Sequence, residues 1–397
     1  MVKSLLVSSN YFPPQVGGIS AMMAALYEHL GPTRVCCLTG VSASPTGADK
    51  HGGGRVYRRS AAFAPPRARR AVLWGLVLAE IMMRDRPQAT QIATIDDGHL
   101  GVWLRRWLRL PFLVYAHGNE ILDVLQGTWP RQRVDLQAAD RIVANSRFTA
   151  GLVEQAGVDR GRIHVIHPGC DSERFRPRPI DRALRERLLG ARAGGRVVLT
   201  VGNLVERKGH DMVIQALAQV IRRVPDATYL IVGEGPYRDD LDRLARTMGV
   251  RDRVVFAGRV DTDELPDIYA LSDVFVMPSR VRPAACDVEG FGLVFLEANA
   301  CGKPVIGGRT GGIPEAIVDG KTGFLVEPES VADIVEHLGI ILTNNELAGE
   351  MGRQGRTRVK THFSWAEAAS RIQELVTAMV IRPAPRSDSR GNTGASV

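Results

Sequence analysis

Short apolar runs, each followed by a polar, glycine-bearing turn, recur along the chain. Residues 4–8, 34–38, 91–95, 111–116, 141–145 and 163–166 carry them in the first half. Residues 197–201, 228–232, 254–260, 274–277 and 304–307 carry them in the second. Runs without alternation belong to strands covered on both faces. Between them, apolar residues return at helical spacing, which predicts helices over 20–30, 71–84, 99–109, 332–344 and 366–381, and one from 210 onward. Strands alternating with helices in this way predict an α/β protein with parallel sheets and right-handed crossovers.

The pattern breaks once. After the run at 163–166 comes a polar turn and then Arg176-Pro177-Arg178-Pro179, which reads as a linker. A chain of 397 residues is too long for one ordinary domain. Two domains follow, over residues 1–178 and 190–365. Residues 382–397 are rich in Pro, Ser and Gly and are expected to be disordered.

The densest chemistry lies at residues 287–298. Glu289 comes just before a helix marked by Leu293, Leu296 and Ala300, and Glu297 lies about two turns inside it. Gly290, Phe291 and Gly292 open that helix with little side chain in the way. Unpaired N–H groups and the dipole make such a mouth an anion site. A buried helix start with two capping acids is the plainer alternative.

Other loops add groups at strand ends. The first strand runs into a loop with Gly17 and Gly18, which can bring backbone close to a phosphate but is not the GxGxxG of dinucleotide folds. His117 follows the strand at 111–116, where open α/β sheets bind ligands, with Glu120 as a ligand or a cap. The loop after the strand at 197–201 holds Asn203, Arg207 and Lys208. Asp261-Thr262-Asp263 is formally a DxD string, but with Glu264 it reads as a capping box rather than a metal site.

Charge adds a surface to this picture. The net charge is +8, and residues 50–79 hold no acid but contain Arg55, Arg58, Arg59, Arg67, Arg69 and Arg70. Arg67, Arg69 and Arg70 form a candidate patch for the acceptor or for an anionic membrane surface; a solvated face is the alternative. A second group, Arg105, Arg106 and Arg109, interleaves with Trp103 and Trp107, and that tryptophan pair at i,i+4 is expected in the core. The longest apolar run is too short for a bilayer span of about 20 residues. No secretory signal opens the chain. The five cysteines form no CxxC pair, which argues against disulfides or zinc and for a reduced, cytosolic setting.

Taken together, several strings resemble the retaining glycosyltransferase family 4. They are Phe12-Pro13-Pro14 with Gly17-Gly18-Ile19, His117-Gly118, the turn at 167–175, and Lys208-Gly209. Glu289-x7-Glu297, Gly311-Gly312-Ile313-Pro314-Glu315 and the segment 320–326 complete the set. The motifs are most similar to those of bacterial GDP-mannose-dependent mannosyltransferases acting on phosphatidylinositol mannosides. One position departs: Asn203 stands where the family usually has arginine, with Arg207 nearby to substitute.

The resemblance implies the GT-B fold, two Rossmann-like domains facing a cleft, with the last helix crossing back to the first domain. It implies transfer of a sugar with retention, from GDP-mannose or a UDP-sugar, to a glycan or lipid-linked acceptor at the inner face of the cell membrane. Neither a metal ion nor a nucleic acid partner is implied. Glu297 would bind ribose hydroxyls and Glu289 the sugar ring, with His117 beside the sugar. Backbone at Phe291, Gly292, Leu293 and Val294 would meet sugar and diphosphate, and backbone near Val260 the base. Gly17, Gly18, Lys208 and Arg207 would hold phosphates, with Asn203 in the same loop. An epimerase or phosphorylase on the same fold, or a silent sugar-binding relative, remains open. The missing GxGxxG argues against a nicotinamide dehydrogenase.

Overall fold

The computed structural model describes residues 1–40, 54–59, 67–282 and 285–381, without the side chains of residues 67–73. The patch at Arg67, Arg69 and Arg70 and the expected disorder of 382–397 therefore lie outside what is described. The first sheet contains β1 (Ser4–Ser8), β2 (Val35–Thr39), β3 (Val56–Arg58), β4 (Ala89–Ile92), β5 (Phe112–Ala116), β6 (Arg141–Ala144) and β7 (Ile163–Val165). The second contains β8 (Val197–Val201), β9 (Thr228–Val232), β10 (Val254–Gly258), β11 (Val274–Met277), β12 (Val305–Gly308) and β13 (Gly323–Val326).

Both sheets are parallel, in the orders β3-β2-β1-β4-β5-β6-β7 and β10-β9-β8-β11-β12-β13. Each reverses its winding beside its first strand, since β1 lies between β2 and β4, and β8 between β9 and β11. The loops leaving the C-terminal ends of strands at such switch points form the ligand crevice of open α/β sheets. The loop bearing Gly17 follows β1, and the loop bearing Arg207 and Lys208 follows β8. Apolar clusters cover both faces of each sheet, which is why the strands read as continuous apolar runs.

The chain crosses between the domains twice. The final helix, Trp365–Ile381, returns to the first sheet. It sends Trp365, Ala369, Ile372 and Val376 into the core that holds Leu6, Met23 and Tyr115. Gln373 Nε2 donates to the Val2 carbonyl at 2.9 Å. The two crossings lie side by side, with Cys170 N–H donating to the Phe363 carbonyl at 2.9 Å.

Four expectations need correction. The segment after β2 contains a strand, β3, which its basic, Gly-rich context conceals. It forms by pairing with β2, and buried Tyr57 donates to Asp85 at 2.5 Å. The fourth strand ends at Ile92, because Ile95–Asp97 is a 3-10 turn anchored by Asp97 accepting Ser9 N–H at 2.8 Å. Trp103 and Trp107 are not core residues but 42% and 65% exposed. Leu100 and Leu104, on another stripe of the same helix, are buried instead. Asp261 and Glu264 form no capping box. The chain enters the helix Leu265–Leu271 through a 3-10 turn, the Asp261 side chain makes no capping bond, and Glu264 pairs with Arg187 at 2.9 Å.

Candidate active site at the domain seam

The loop from β11 to the helix Leu293–Ala300 carries the central acids. Gly292 is the residue before that helix, at φ 96°, a conformation that favours glycine, and no side chain caps the helix. The N–H groups of Leu293 and Val294, ahead of Phe295 N–H on the Gly292 carbonyl, therefore have no intrahelical acceptor. The backbone of Glu289 is clamped from below, its carbonyl accepting Gly312 N–H at 2.9 Å.

Four charges meet above it. Glu289 Oε2 accepts from Lys208 Nζ at 2.5 Å and from Arg207 Nη1 at 2.6 Å. Arg207 Nε donates to Asp287 Oδ1 at 2.5 Å. The 3-10 turn Glu206–Lys208 is tied to the same loop by Arg280 N–H on the Arg207 carbonyl, at 2.9 Å. Two cations and two carboxylates thus form one largely buried, charge-balanced quartet. Burial alone would raise the pKa of Glu289, but Lys208 and Arg207 outweigh it and bring the value down to about 2. Burial lowers the pKa of Lys208, and Glu289 works against that shift.

Glu297 is not part of this quartet. Its Oε2 accepts the Tyr269 hydroxyl at 2.7 Å, and burial raises its pKa. The side chain of Asn203 is exposed, so position 203 adds no cation. Gly17 and Gly18 are exposed, with open space where a β-carbon would stand. Val260 is half-buried against the second domain's core. Phe291 is buried, its ring 5.4 Å from His167 and 5.8 Å from Phe363. Leu293 packs on the first domain's core, and Val294 on the second's.

From the first domain, His117 Nε2 lies 2.8 Å from the Ala93 carbonyl. A carbonyl only accepts, so this nitrogen carries a proton. Glu120 accepts His117 N–H at 2.5 Å, the capping alternative of the two considered for it. Asp287 and Asn119 were missed in the sequence. Asp287 could have been noticed from its place two residues before Glu289, and Asn119 from the string His117-Gly118-Asn119.

Residues 16–174 match the family described as Glycosyltransferase Family 4, and residues 184–358 match Glycosyl transferases group 1. The GDP-mannose-dependent alpha-(1-6)-phosphatidylinositol monomannoside mannosyltransferase of Mycolicibacterium smegmatis is 36% identical over 94% of this chain and 98% of its own. The chain belongs to the family 4, group 1 glycosyltransferases. The glycosyltransferase is also 34% identical to the enzyme of the same description from Mycobacterium tuberculosis, over 94% of this chain and 97% of that one. Its fold is that of GT-B glycosyltransferases. Anabaena Alr3699/HepE, solved with UDP and glucose, superposes with a TM-score of 0.77 at 22% identity, over 95% of this chain and 100% of that one.

The seam leaves no room at Gly290, where a β-carbon would overlap the carbonyl oxygen of His117. Gly290→Ala is therefore expected to hold the glycosyltransferase open and to reduce transfer by at least about tenfold, the effect of misplacing reacting groups by an ångström or so. Small-angle scattering should show a larger radius with unchanged secondary structure. Wild-type transfer by this variant would contradict the close approach.

Proposed function

We propose that this glycosyltransferase moves mannose from GDP-mannose, with retention, onto a glycolipid of the phosphatidylinositol mannoside kind. The observation that carries the reaction is the quartet of Arg207, Lys208, Asp287 and Glu289 beside an uncapped helix mouth. A nucleotide diphosphate brings negative charge that Lys208, Arg207 and the helix N–H groups accept. Glu289 is displaced from the cations by that charge and turns to the hydroxyls of the sugar. These groups take the part that a divalent cation plays in other transferases. His117 lies beside the sugar, and Glu297 receives the ribose hydroxyls in place of Tyr269. The departing phosphate helps to deprotonate the acceptor hydroxyl on the same face, in keeping with retention. The names of the relatives supply the donor and acceptor.

The direct test offers GDP-mannose and a panel of UDP-sugars to the protein, with phosphatidylinositol monomannoside in vesicles. GDP-mannose should raise the melting temperature, as any ligand of the native state does, and labelled mannose should appear on the lipid. Transfer from a UDP-sugar with none from GDP-mannose would overturn the donor; turnover without acceptor would point to epimerisation.

Among the described residues no helix is long and apolar enough to cross a membrane. Attachment from one side fits the exposed faces better. Trp103 and Trp107 point outward, Arg106 lies 5.9 Å over the Trp107 ring, and Leu76 and Met83 are exposed on the helix Arg67–Arg84. Tryptophan next to arginine is the interfacial pattern, and an anionic leaflet would draw the basic segment at Arg67, Arg69 and Arg70. Trp103→Ser with Trp107→Ser should weaken binding to anionic vesicles by on the order of tenfold or more, from roughly 25 cal/mol per Å² of apolar area. Melting temperature should barely move. Vesicle binding equal to wild type would remove the tryptophans from the attachment surface.

A further inference from the structure

We infer that Asn119 is a positioning residue that couples closure of the two domains to the placement of Arg207 and Glu289; the inference takes the donor site above as given. Asn119 opens the helix Asn119–Gln126 in the first domain. Its Nδ2 donates to Asp287 Oδ1 at 2.9 Å, and its Oδ1 accepts Val288 N–H at 2.8 Å. Both bonds cross the seam. The orientation of the amide follows from its partners, because a carboxylate only accepts and a backbone N–H only donates.

The same Asp287 oxygen also receives Arg207 Nε, and Arg207 in turn reaches Glu289. A continuous path therefore runs from the first domain through Asp287 and Arg207 to the central acid. The second bond of Asn119 fixes the peptide between Asp287 and Val288, the one before the peptide that leads to Glu289. The Val288 side chain closes the same contact, its Cγ1 3.2 Å from where a β-carbon of Gly118 would stand. When the domains part, Asp287 and Val288 lose these partners together, and the arginine is freed from a fixed support. Arg207 keeps Asp287 and Glu289 within its own domain, but only in the closed form is Asp287 itself braced from the first domain. Asparagine suits this place because one planar group supplies a donor and an acceptor at once. Aspartate here would set a second carboxylate against Asp287.

The test uses the full chain with Asn119→Asp, Asp287→Asn and the double variant. Asn119→Asp should lower kcat by about tenfold or more, the scale of a lost buried hydrogen bond with a like charge in its place. GDP affinity should stay close to wild type, because the amide acts on closure rather than on the open site. The double variant removes the like charges and restores a hydrogen bond across the seam, with the two groups exchanged. The carboxylate now at position 119 would accept from the amide nitrogen now at position 287 and from Val288 N–H; the bond from Arg207, which shares that one Asp287 atom with Asn119 in the wild type, is not restored. The double variant should be more active than the product of the two single effects. A merely structural role would show parallel losses of melting temperature and no such recovery. Scattering with saturating GDP supplies a readout without turnover: wild type should compact and Asn119→Asp should not. Asn119→Asp with wild-type kcat and wild-type compaction, or strictly multiplicative losses in the double variant, would overturn the coupling. If wild type transfers no sugar from any nucleotide donor, the proposed function fails, and the scattering comparison still decides the role of Asn119.

Discussion

Glu289→Gln is expected to slow transfer by on the order of 10²–10³-fold, the cost of losing one group aimed at charge in the transition state. GDP binding should hold or tighten. The carboxylate occupies Lys208 and Arg207, at 2.5 and 2.6 Å, the cations proposed to receive the diphosphate. Removing it takes away the competitor as well as the group proposed to meet the sugar. Steady-state kinetics beside calorimetric titration with GDP would separate the two. Full turnover would remove Glu289 from the mechanism, and lost GDP binding would show that it supports the cations rather than competing for them. Acid titration gives a second readout. The pKa of Glu289 is about 2, against an ordinary 4.5, so its ion pairs contribute stability above 4.5 that is lost as pH falls towards 2. The stability gap between wild type and Glu289→Gln should narrow across that window.

Lys208→Met should show the opposite division. Methionine keeps much of the length and apolar stem but removes the charge proposed to meet the departing diphosphate. A fall in kcat/KM of about 10²–10³-fold is expected, with GDP binding weakened rather than kept. Glu289 retains Arg207 as a partner, so the fold should survive. The Lys208 side chain is largely buried, and its pKa is lowered by that burial despite Glu289. Isothermal titration with GDP is the decisive measurement, and unchanged affinity would mean that Arg207 and the helix mouth hold the diphosphate unaided.

The fold was legible in the sequence because most strands are buried on both faces and so read as apolar runs. β3 was not, since Val56–Arg58 owes its state to pairing with β2. Trp103 and Trp107 misled for a related reason. Their helix carries two apolar stripes, and the sheet can cover only the one that bears Leu100 and Leu104. The site was legible in pieces. Glu289 announces itself beside a glycine-opened helix, but Lys208 lies 81 residues earlier, and no local pattern joins the two. Only the likeness to a family set them in one pocket. Asn119 was hidden further still, because its meaning depends on a loop 168 residues away in the other domain. Glu297 shows the converse. Proximity to Glu289 in sequence did not bring it into the quartet, because its turn of the helix faces Tyr269.

The last helix returns to the first sheet, so the second domain is topologically an insertion into the first. Two strands of chain, joined by the bond from Cys170 to Phe363, carry all movement between the halves. A two-ply joint of this kind bends readily about one line and resists torsion. The lips of the cleft then meet in one registration on every swing. A single proteolytic nick in either ply would leave the halves tethered by the other, free to rotate but no longer forced to meet in register.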